Sequence, residues 1–401
     1  MHYNMGNMNQ LLNLQITNFR SFFDTQTLSF DNKTNTNITA IYGPNASGKS
    51  NTARALSFIK LFLQNSANAG IIKIPFEPFL LRAKNILPSK FEIEFINGKR
   101  KFHYGFSFNT DEIVSEKLIE LTSQKEKIVF NRNHQKIINI TTAKKFGFTE
   151  NLMSKTRSAS LLITKAREDN NEYANVVFDF FTNFNIVTCG TPELRNFSIQ
   201  LLKSDPILKE KVLEFLKNSD FWIRDFSIDE VDIPDDVINK LPFSDEIKGK
   251  MRMQKPISIM TKHSVRDNNE KIVDTVSFSI DNQESAGTNV IFDLSTLIIY
   301  SIEKKSPLYI DELGSHLHPD ICNYILSKFR KNSNAQLILN THDTSLMNEL
   351  KREEIVFIDK NQAEKSIITP LTEMSPRENE SFEKRYRQGF YGSKPFIKEI
   401  P

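Results

Sequence analysis

One segment restricts what this chain can fold into more than any other. Residues 43–50 read Gly-Pro-Asn-Ala-Ser-Gly-Lys-Ser, which fits the pattern G-x-x-x-x-G-K-[ST] in full. In such a loop the glycines let backbone amides converge on phosphate groups, and the helix that follows presents its N-terminus to the same anion. The pattern assigns Lys49 to the β- and γ-phosphates of a nucleotide and the Ser50 hydroxyl to Mg²⁺.

The residues on either side of this loop have the pattern that the chemistry requires. Residues 37–42 read as a short buried strand, and residues 51–64 have helical spacing. The alternative is a chance glycine-rich turn, which needs neither a strand before it nor a helix after it. We therefore predict a site for ATP and Mg²⁺.

Two carboxylates follow an apolar strand late in the sequence. Residues 307–310 read Pro-Leu-Tyr-Ile, and Asp311 and Glu312 come directly after them. Ligands of α/β folds bind at the carboxyl ends of strands. Asp311 can hold Mg²⁺ through a water molecule, and Glu312 can orient and deprotonate the attacking water. The alternative is a strand-to-turn junction with solvated acids, and the phosphate loop upstream favours the catalytic interpretation.

A histidine follows the next predicted strand. Residues 337–340 are apolar up to Asn340 and lead into Thr341-His342-Asp343. By strand order this strand lies beside the Asp311 strand, which places His342 within reach of the γ-phosphate; an ordinary surface histidine is the alternative. His316 and His318 are predicted to be loop and helix-start residues. The spacing of the three histidines matches no zinc-ligand pattern, so we predict no structural metal.

The order of predicted elements indicates an α/β fold. Short alternating segments between residues 91 and 131, with an Asn97-Gly98 turn, predict an antiparallel meander. Helical spacing runs from about 151 to 254, and a second hairpin follows across residues 267–269. Alternating helices (289–303, 319–331, 344–350) and strands (307–311, 336–340, 355–358) then predict a parallel sheet. The predicted domains are 1–150, a helical insertion at 151–255, and 256–401.

Composition excludes several classes of protein. The 39% apolar and 25% charged residues are typical of a globular chain, and a net charge of +3 rules out a globally basic nucleic-acid coat. Cys189 and Cys322 are too few for a disulfide framework or a four-cysteine zinc site. The first ten residues have no signal-peptide pattern, and no apolar stretch reaches the ~20 residues that span a bilayer. We therefore expect a cytoplasmic protein with no membrane partner.

Together these segments resemble the ABC-type ATPase superfamily of soluble chromosome and defence proteins, which includes SMC, RecF and OLD-type ATPases. Asn45 in the phosphate loop and the opening Leu14-x-Ile16-x-Asn18-Phe19-Arg20-Ser21-Phe22 carry this resemblance. More narrowly, the chain resembles bacterial AAA/ABC ATPases of abortive infection and phage defence, including RloA-like proteins and the ATPase subunit of PARIS systems. The segments that carry the narrower resemblance are 91–95, His263, Glu284-Ser285-Ala286-Gly287-Thr288, 311–319, 341–343 and 385–392.

The resemblance implies an ABC-type P-loop ATPase head: a mixed sheet with helices, an antiparallel β-meander and an inserted helical subdomain. In this superfamily two heads sandwich ATP, and a signature loop of one head reaches the γ-phosphate held by the other. Ser285 and Gly287 would take that role in trans; the alternative is that they only begin a helix. The segment Phe76–Leu81 is the candidate for the loop that contacts Mg²⁺ through a glutamine.

The predicted site residues follow from these patterns and from the resemblance. Glu312 and His342 are the predicted catalytic residues, and Ser50 and Asp311 the predicted Mg²⁺ ligands. The predicted ATP-binding residues are Gly43, Asn45, Ser47, Gly48, Lys49, Ser50, Asn51 and, from the opening motif, Arg20.

The resemblance also implies a function. We expect an ATP-hydrolysing sensor or scaffold of an antiphage system, which forms a homodimer or higher homo-oligomer on ATP and controls a separate effector, a nuclease or a toxin. About 60 residues follow His342, too few for the nuclease domain that OLD proteins carry. Two alternatives stay open: a DNA-maintenance ATPase of RecF or SMC type, and a binding module with a degenerate loop. The intact Lys49 and Glu312 count against the latter.

Positive charge is concentrated near the C-terminus. Five cations lie there without an acid among them, and the net charge of +3 would be −2 without them. They are Lys384, Arg385, Arg387, Lys394 and Lys398, interleaved with Tyr386, Phe390, Tyr391 and Phe396. This composition suits a nucleic acid or an acidic partner. The alternative is a tail that its aromatic residues hold against the ATPase body.

Overall fold

A computed structural model describes residues 8–30, 36–68, 73–84, 87–123, 125–219, 221–232, 234–240, 242–253, 257–374 and 381–392. The described residues belong to two compact units. The first unit lies within Met1–Thr188, Ser301–Gly314 and Cys322–Pro401, and the second within Cys189–Tyr300 and Ser315–Ile321.

The strands are numbered in chain order. They are β1 Met8–Thr17, β2 Gln26–Ser29, β3 Ile38–Tyr42, β4 Ser89–Gly98, β5 Arg100–Phe108, β6 Ile113–Leu121, β7 Glu126–Asn133, β8 Lys136–Ile138, β9 Asn185–Thr188, β10 Asp225–Glu230, β11 Ile257–Arg266, β12 Ile272–Ser279, β13 Pro307–Asp311, β14 Gln336–Asn340, β15 Ile355–Lys360 and β16 Ser366–Pro370.

The α-helices are α1 Lys49–Asn65, α2 Ile140–Lys144, α3 Glu150–Ser154, α4 Leu162–Glu168, α5 Glu172–Asn183, α6 Pro192–Ser204, α7 Pro206–Asn218, α8 Asp235–Lys240, α9 Asp245–Met253, α10 Ile280–Gln283, α11 Ala286–Lys304, α12 Pro319–Lys331 and α13 Phe382–Arg387. Short 3₁₀ helices cover Thr344–Glu349, Arg352–Glu354 and Leu371–Met374. The first of these replaces the α-helix that the sequence predicted at 344–350.

A six-stranded sheet forms one layer of the first unit, in the order β16-β15-β3-β14-β13-β9. All neighbouring strands are parallel except β15 and β16. Every residue of β3, β13 and β14 is buried, as expected for central strands of a covered parallel sheet. The predicted mixed α/β fold is confirmed, and β14 pairs with β13 as strand order required.

The second layer of the first unit is the predicted antiparallel meander, in the order β2-β1-β4-β5-β6-β7-β8. Asn97 pairs with Arg100 across a two-residue turn, and Gly98 there adopts a φ of +65°. Phenylalanines fill the interior between this sheet and α1. The Phe58 ring of α1 stacks 5.1 Å from Phe108 of β5, so the meander packs directly on the helix that follows the phosphate loop.

Residues 151–188 pack in the first unit, whereas the sequence placed them in a helical insertion at 151–255. Helix α5 buries an apolar face against the meander, and the Phe180 ring lies 4.4 Å from that of Phe95. The strand β9 that follows pairs in parallel with β13 and was missed from the sequence. The proposed domain boundaries themselves stay predictions.

The second unit contains helices α6 to α10, most of α11 and an antiparallel sheet in the order β10-β11-β12. The β11–β12 hairpin was predicted, whereas β10 was not. Phe226 of β10 packs 4.9 Å from Phe292 of α11, which joins the sheet to the helix. Among the residues that the structure describes, no helix combines the length and the apolar character needed to cross a membrane.

Candidate active site

The predicted phosphate loop connects β3 to α1. Helix α1 starts at Lys49, and Gly48 caps it with a φ of 110° and no side-chain hydrogen bond. Gly43 also requires glycine, because a Cβ atom there would lie 2.0 Å from the carbonyl oxygen of Ile358. The first turn of α1 contains no acidic residue. An anion at this helix start would therefore meet no repulsion from an acidic side chain, and first-turn N–H groups are the donors that a helix offers to an anion. The Asn51 N–H already donates to the Gly48 carbonyl oxygen (3.0 Å).

Lys49 is the central cation of this loop. Its side chain is buried, and Nζ donates hydrogen bonds to the carbonyl oxygens of Gly43 (2.8 Å) and Pro44 (2.9 Å). Burial lowers the pKa of Lys49 to about 8, although the charges of Asp311 and Glu312 act in the opposite direction. Burial therefore destabilises the charged ammonium form more than the two carboxylates stabilise it. A bound phosphate would supply the missing negative charge.

A hydroxyl in the loop also fits a phosphate. Ser47 is buried, and its Oγ has no hydrogen-bond partner within the described part of the chain. Buried hydroxyls are normally hydrogen-bonded, so an unpartnered one inside a glycine-rich loop points to a ligand. Together with the glycine cradle and Lys49, it makes the residues present fit a nucleotide phosphate.

Side chains from distant parts of the first unit hold the loop in place. The Ser21 and Ser366 hydroxyls lie 2.7 Å apart, and Ser366 also donates to the carbonyl oxygen of Ser47. The Asn51 amide donates to the Ser21 hydroxyl (2.8 Å). The opening Asn-Phe-Arg-Ser motif therefore braces the phosphate loop. No sequence signal identified Ser366.

Asp311 and Glu312 lie at the carboxyl end of β13, where Asn340 holds them from β14. The Asn340 amide nitrogen donates to Asp311 Oδ1, and its oxygen accepts a hydrogen bond from the Glu312 N–H (2.7 Å). Glu312 has a φ of +63°, in the left-handed region. Asn340 was missed as a site residue; its signal was a polar residue at the end of an apolar strand.

His342 lies in the exposed loop after β14. Partial desolvation and the charge of Lys49 lower the pKa of this imidazole, while Glu312 and Asp311 act to raise it. The three adjacent strands β3, β14 and β13 therefore bring one lysine, one histidine and two carboxylates into electrostatic contact. The sequence predicted each of the four, and the structure places them together.

Three further predicted ATP-binding residues lie in the loop, in the first turn of α1 and in the opening motif. Asn45 is exposed at the tip of the loop, and Ser50 is half-buried in the first turn of α1. Arg20 adopts a φ of +51°, its backbone N–H donates to the Glu77 carbonyl oxygen (2.8 Å), and its side chain forms an ion pair with the Glu77 carboxylate. A groove of about 500 Å³ runs along the candidate glutamine-loop segment and is lined by Arg20, Ser21, Phe76–Leu81, Lys360 and Glu364.

Mg²⁺ bound through substrate phosphates requires only one or two carboxylates, because water completes its coordination. Asp311 and the Ser50 hydroxyl have the chemistry for such a site. Within the described residues no group of three or more His, Cys, Asp or Glu side chains could hold a metal by itself.

Ser285 and Gly287 belong to the second unit, not to the unit that contains the phosphate loop. Helix α11 begins at Ala286, so Gly287 lies in its first turn rather than before it. The Ser285 hydroxyl accepts a hydrogen bond from the Thr288 N–H (3.0 Å). A Cβ atom at Gly287 would lie 2.8 Å from the His316 carbonyl oxygen, which explains the glycine.

The C-terminal aromatic residues contact the first unit. The Tyr386 ring stacks on Phe357 of β15 at 5.5 Å, and Tyr391 stacks on the same ring at 5.3 Å. These contacts support the interpretation of a tail held against the ATPase body, and binding of nucleic acid by the tail stays a prediction. Lys394, Phe396 and Lys398 lie outside the described residues.

Solved structures of similar fold include three SMC heads. An SMC head domain from Thermotoga maritima is 16% identical with a TM-score of 0.42, covering 90% of this chain and 98% of that one. An SmcHead bound to the C-winged helix domain of ScpA is 11% identical with a TM-score of 0.50 (90% and 99%). A Pyrococcus furiosus Smc head with an extended coiled coil, bound to the C-terminal domain of ScpA, is 14% identical with a TM-score of 0.44 (96% and 100%).

The SmcHead at a TM-score of 0.50 shows the fold that the two proteins share. None of the curated proteins matches the chain. Residues 38–348 match the family described as "AAA domain, putative AbiEii toxin, Type IV TA system", a span that includes Lys49, Asp311, Glu312 and His342. The narrower likeness to RloA-like and PARIS proteins stays a prediction. The chain, with its phosphate loop and its SMC-head fold, belongs to this family of P-loop ATPase domains.

Proposed function

We propose that the chain binds ATP with Mg²⁺ and hydrolyses it at the carboxyl ends of β3, β13 and β14. One observation carries this proposal: the parallel pairing of β3 with β14 and of β14 with β13 brings the residues that follow these strands to one edge of the sheet, where the charges of Asp311 and Glu312 act on Lys49 and that of Lys49 acts on His342. Phosphoryl transfer to water uses a phosphate-binding cation, a carboxylate that holds the metal and a group that orients the attacking water, and Lys49, Asp311 and Glu312 have these chemistries.

Each group has a distinct task in the proposed reaction. The loop amides and Lys49 hold the β- and γ-phosphates, while Ser50 and Asp311 would hold Mg²⁺, which would supply positive charge to the phosphate oxygens. Glu312 accepts a proton from the water that attacks the γ-phosphorus. The bond from that phosphorus to the bridging oxygen breaks, and ADP leaves with the electron pair. His342, whose pKa is lowered by partial burial and by Lys49, would donate a hydrogen bond to the γ-phosphate.

Assembly through ATP is the second part of the proposal. Ser285 and Gly287 of one molecule would contact the γ-phosphate held by another, giving a homodimer or a higher homo-oligomer. The N-terminal end of α11, a helix of 19 residues, favours negative charge and supports this role. Ser285 and Gly287 are within the family-matched span.

A biological role follows as a proposal. The family description names a toxin of a toxin–antitoxin system, which supports a sensor or scaffold of antiphage abortive infection that controls a separate nuclease or toxin. The likeness to an SMC head bound to a ScpA domain favours a second candidate, a DNA-maintenance ATPase. Co-purification with the product of a neighbouring gene, with and without ATP, supports the first role. Steeply salt-dependent DNA binding by the isolated protein supports the second.

Glu312→Gln tests the proposed hydrolysis. Without a general base, turnover should fall by about 100- to 10,000-fold while ATP binding persists. The trapped ATP should increase the population of dimers, measured by light scattering. Glu373→Gln, at an exposed position of a 3₁₀ helix, is the matched control and should turn over like the wild type. Unchanged turnover in Glu312→Gln would refute the assignment.

A further inference from the structure

Helix α13 packs against the 3₁₀ helix Thr344–Glu349, which follows the His342 loop. The Glu383 carboxylate is the centre of this contact: it accepts hydrogen bonds from the Asn348 amide (2.6 Å) and the Thr344 hydroxyl (3.4 Å). Its third partner is Arg387, one turn later on α13, at 2.7 Å. One carboxylate thus holds both ends of the 3₁₀ helix.

Arg387 makes a second connection to the same segment. Its Nε and Nη2 donate to the Thr344 hydroxyl at 3.1 and 3.0 Å. Thr344 is only two residues after His342, and between them Asp343 accepts hydrogen bonds from the N–H and the hydroxyl of Ser345 (2.9 and 2.6 Å). The chain that leaves His342 is therefore held by α13 and by its own cap.

An aromatic contact fixes α13 on the other side. Tyr386 is buried, its ring lies parallel to Phe357 at 5.5 Å, and it also contacts Tyr42 at 6.3 Å. Tyr42 ends β3 and directly precedes Gly43, the first residue of the phosphate loop. Helix α13 thus contacts the strand that leads into the phosphate loop and the segment that follows His342.

We propose that the C-terminal clamp, defined as residues 381–392, is a positioning element that holds the His342 loop in register with the phosphate loop. The expected effect of the clamp on hydrolysis rests on the proposed function. The clamp itself lies outside the family-matched span 38–348. A loop that carries an exposed reacting side chain such as His342 needs support from outside itself, because loops have low local stability. Glu383, Arg387 and Tyr386 supply that support; none of them is a catalytic residue.

The clamp also explains why part of the basic tail lies on the ATPase body. Arg387 and Lys384 are both exposed on the same helix, but Arg387, unlike Lys384, pairs with Glu383 and donates to the Thr344 hydroxyl. If only the positive charge of the tail mattered, replacing either of these two cations would have the same effect on turnover. If the clamp acts by positioning, replacing Glu383 or Arg387 should lower ATP turnover and replacing Lys384 should not.

Glu383→Ala in the full-length protein tests the clamp by two measurements. A displacement of about 1 Å can cost up to roughly 100-fold, so kcat for ATP should fall about 10-fold with KM within about 2-fold, because substrate binding does not involve the clamp. Glu383→Gln keeps an acceptor for Asn348 and Thr344 and should retain most of the activity. Lys384→Ala is the same-helix control and should behave like the wild type.

Hydrogen exchange of residues 341–349 in the nucleotide-free protein measures the clamp without hydrolysis. Exchange should accelerate in Glu383→Ala and stay unchanged in Lys384→Ala. Equal exchange in Glu383→Ala and wild type, or equal losses of kcat in Glu383→Ala and Lys384→Ala, would overturn the clamp. Accelerated exchange in a protein whose wild type does not hydrolyse ATP would instead contradict the proposed function and leave the contact itself established.

Discussion

Glu116 in the meander and Lys49 in the phosphate loop are both buried charges of the first unit, but their surroundings differ. Glu116 accepts hydrogen bonds from the N–H groups of Leu162 (2.6 Å) and Ile163 (3.1 Å) and from the Tyr104 hydroxyl (3.1 Å), and it faces Arg132. Burial raises the pKa of the Glu116 carboxyl, while Arg132 and these donors act against the increase. All of these hydrogen-bond and ion-pair partners are residues of the protein itself.

Lys49 has no carboxylate in hydrogen-bond contact among the described residues. Its hydrogen bonds go to carbonyl oxygens of its own loop, and its pKa falls to about 8 because burial outweighs the charges of Asp311 and Glu312. The difference teaches how to tell a structural buried charge from a functional one. The structural charge is compensated by the fold, and the functional one is left to be compensated by a ligand.

Removal of the structural charge should have the largest effect. Glu116→Ala leaves Arg132 buried without its counter-ion and two backbone amides without acceptors, so the free energy of unfolding should fall by about 3–5 kcal/mol. Urea denaturation measures this loss. Glu126→Ala, at an exposed position of β7, is the control and should stay within about 0.5 kcal/mol of the wild type. A fall in the free energy of unfolding of less than about 1 kcal/mol would contradict the structural role of Glu116 and with it the contrast to Lys49.

Removal of the functional charge should affect turnover instead of stability. Lys49→Ala should lower ATP turnover by about 100- to 1000-fold, because the charge that stabilises the transferred phosphate is lost. The urea midpoint should stay the same or rise, since the variant no longer buries a poorly compensated ammonium group. Lys331→Ala, at the exposed end of α12, is the control for loss of a positive charge. A clear fall in the urea midpoint of Lys49→Ala would show that Lys49 is structural as well.

Asn340 combines both kinds of role and should show an intermediate effect. Asn340→Ala removes the amide that joins Asp311 to the Glu312 N–H, so turnover should fall about 10- to 100-fold, as for groups that orient metal ligands. Stability should fall by about 1–3 kcal/mol, because the buried Asp311 carboxylate loses a donor and the half-buried Glu312 N–H loses its acceptor. Asn332→Ala, exposed after α12, should change neither quantity. Steady-state kinetics and urea denaturation on the same samples separate the two effects.

The smallest predicted effect is a pH dependence of nucleotide binding. With a pKa of about 8, free Lys49 loses its proton between pH 7 and 9, whereas a bound phosphate keeps it charged. Affinity is therefore nearly full at pH 7, falls to about half near pH 8 and declines further above it, so Kd for a non-hydrolysable ATP analogue should rise up to about tenfold from pH 7 to 9. Lys49→Arg stays charged and should show a flat profile.

Lys60 provides the control for this titration, because it lies on the same helix and its pKa is also lowered by burial to about 8. Its Nζ donates to the Phe184 carbonyl oxygen (2.8 Å) and not to the phosphate loop. Lys60→Met should therefore keep the wild-type pH dependence. A flat pH profile of Kd in Lys60→Met would instead show that Lys60, and not Lys49, is the lysine whose titration weakens binding.

Local patterns were sufficient for much of this fold. The strand before the phosphate loop, the helix after it, the Asn97-Gly98 hairpin and the strand that ends at Asp311 each have a short-range signal of periodicity or turn chemistry. The four-residue strand β9 has no such signal, because Asn-Ile-Val-Thr follows a helix directly and is a strand only through its pairing with β13. The packing of residues 151–188 likewise has no local signal, because the contact of α5 with Phe95 of the meander is a tertiary one.

The sequence by itself determined the phosphate loop, the acidic pair, the histidine after the next strand and the mixed α/β fold. These features depend on residues that are neighbours in the chain, and their chemistry restricts the residue types. Only the tertiary structure decided that Asn340 joins the acidic pair, that Ser366 braces the loop 319 residues away from Ser47, and that α13 packs beside the His342 segment. Each of these contacts closes a long stretch of chain, and the hydrogen bonds that stabilise it leave no trace in local periodicity.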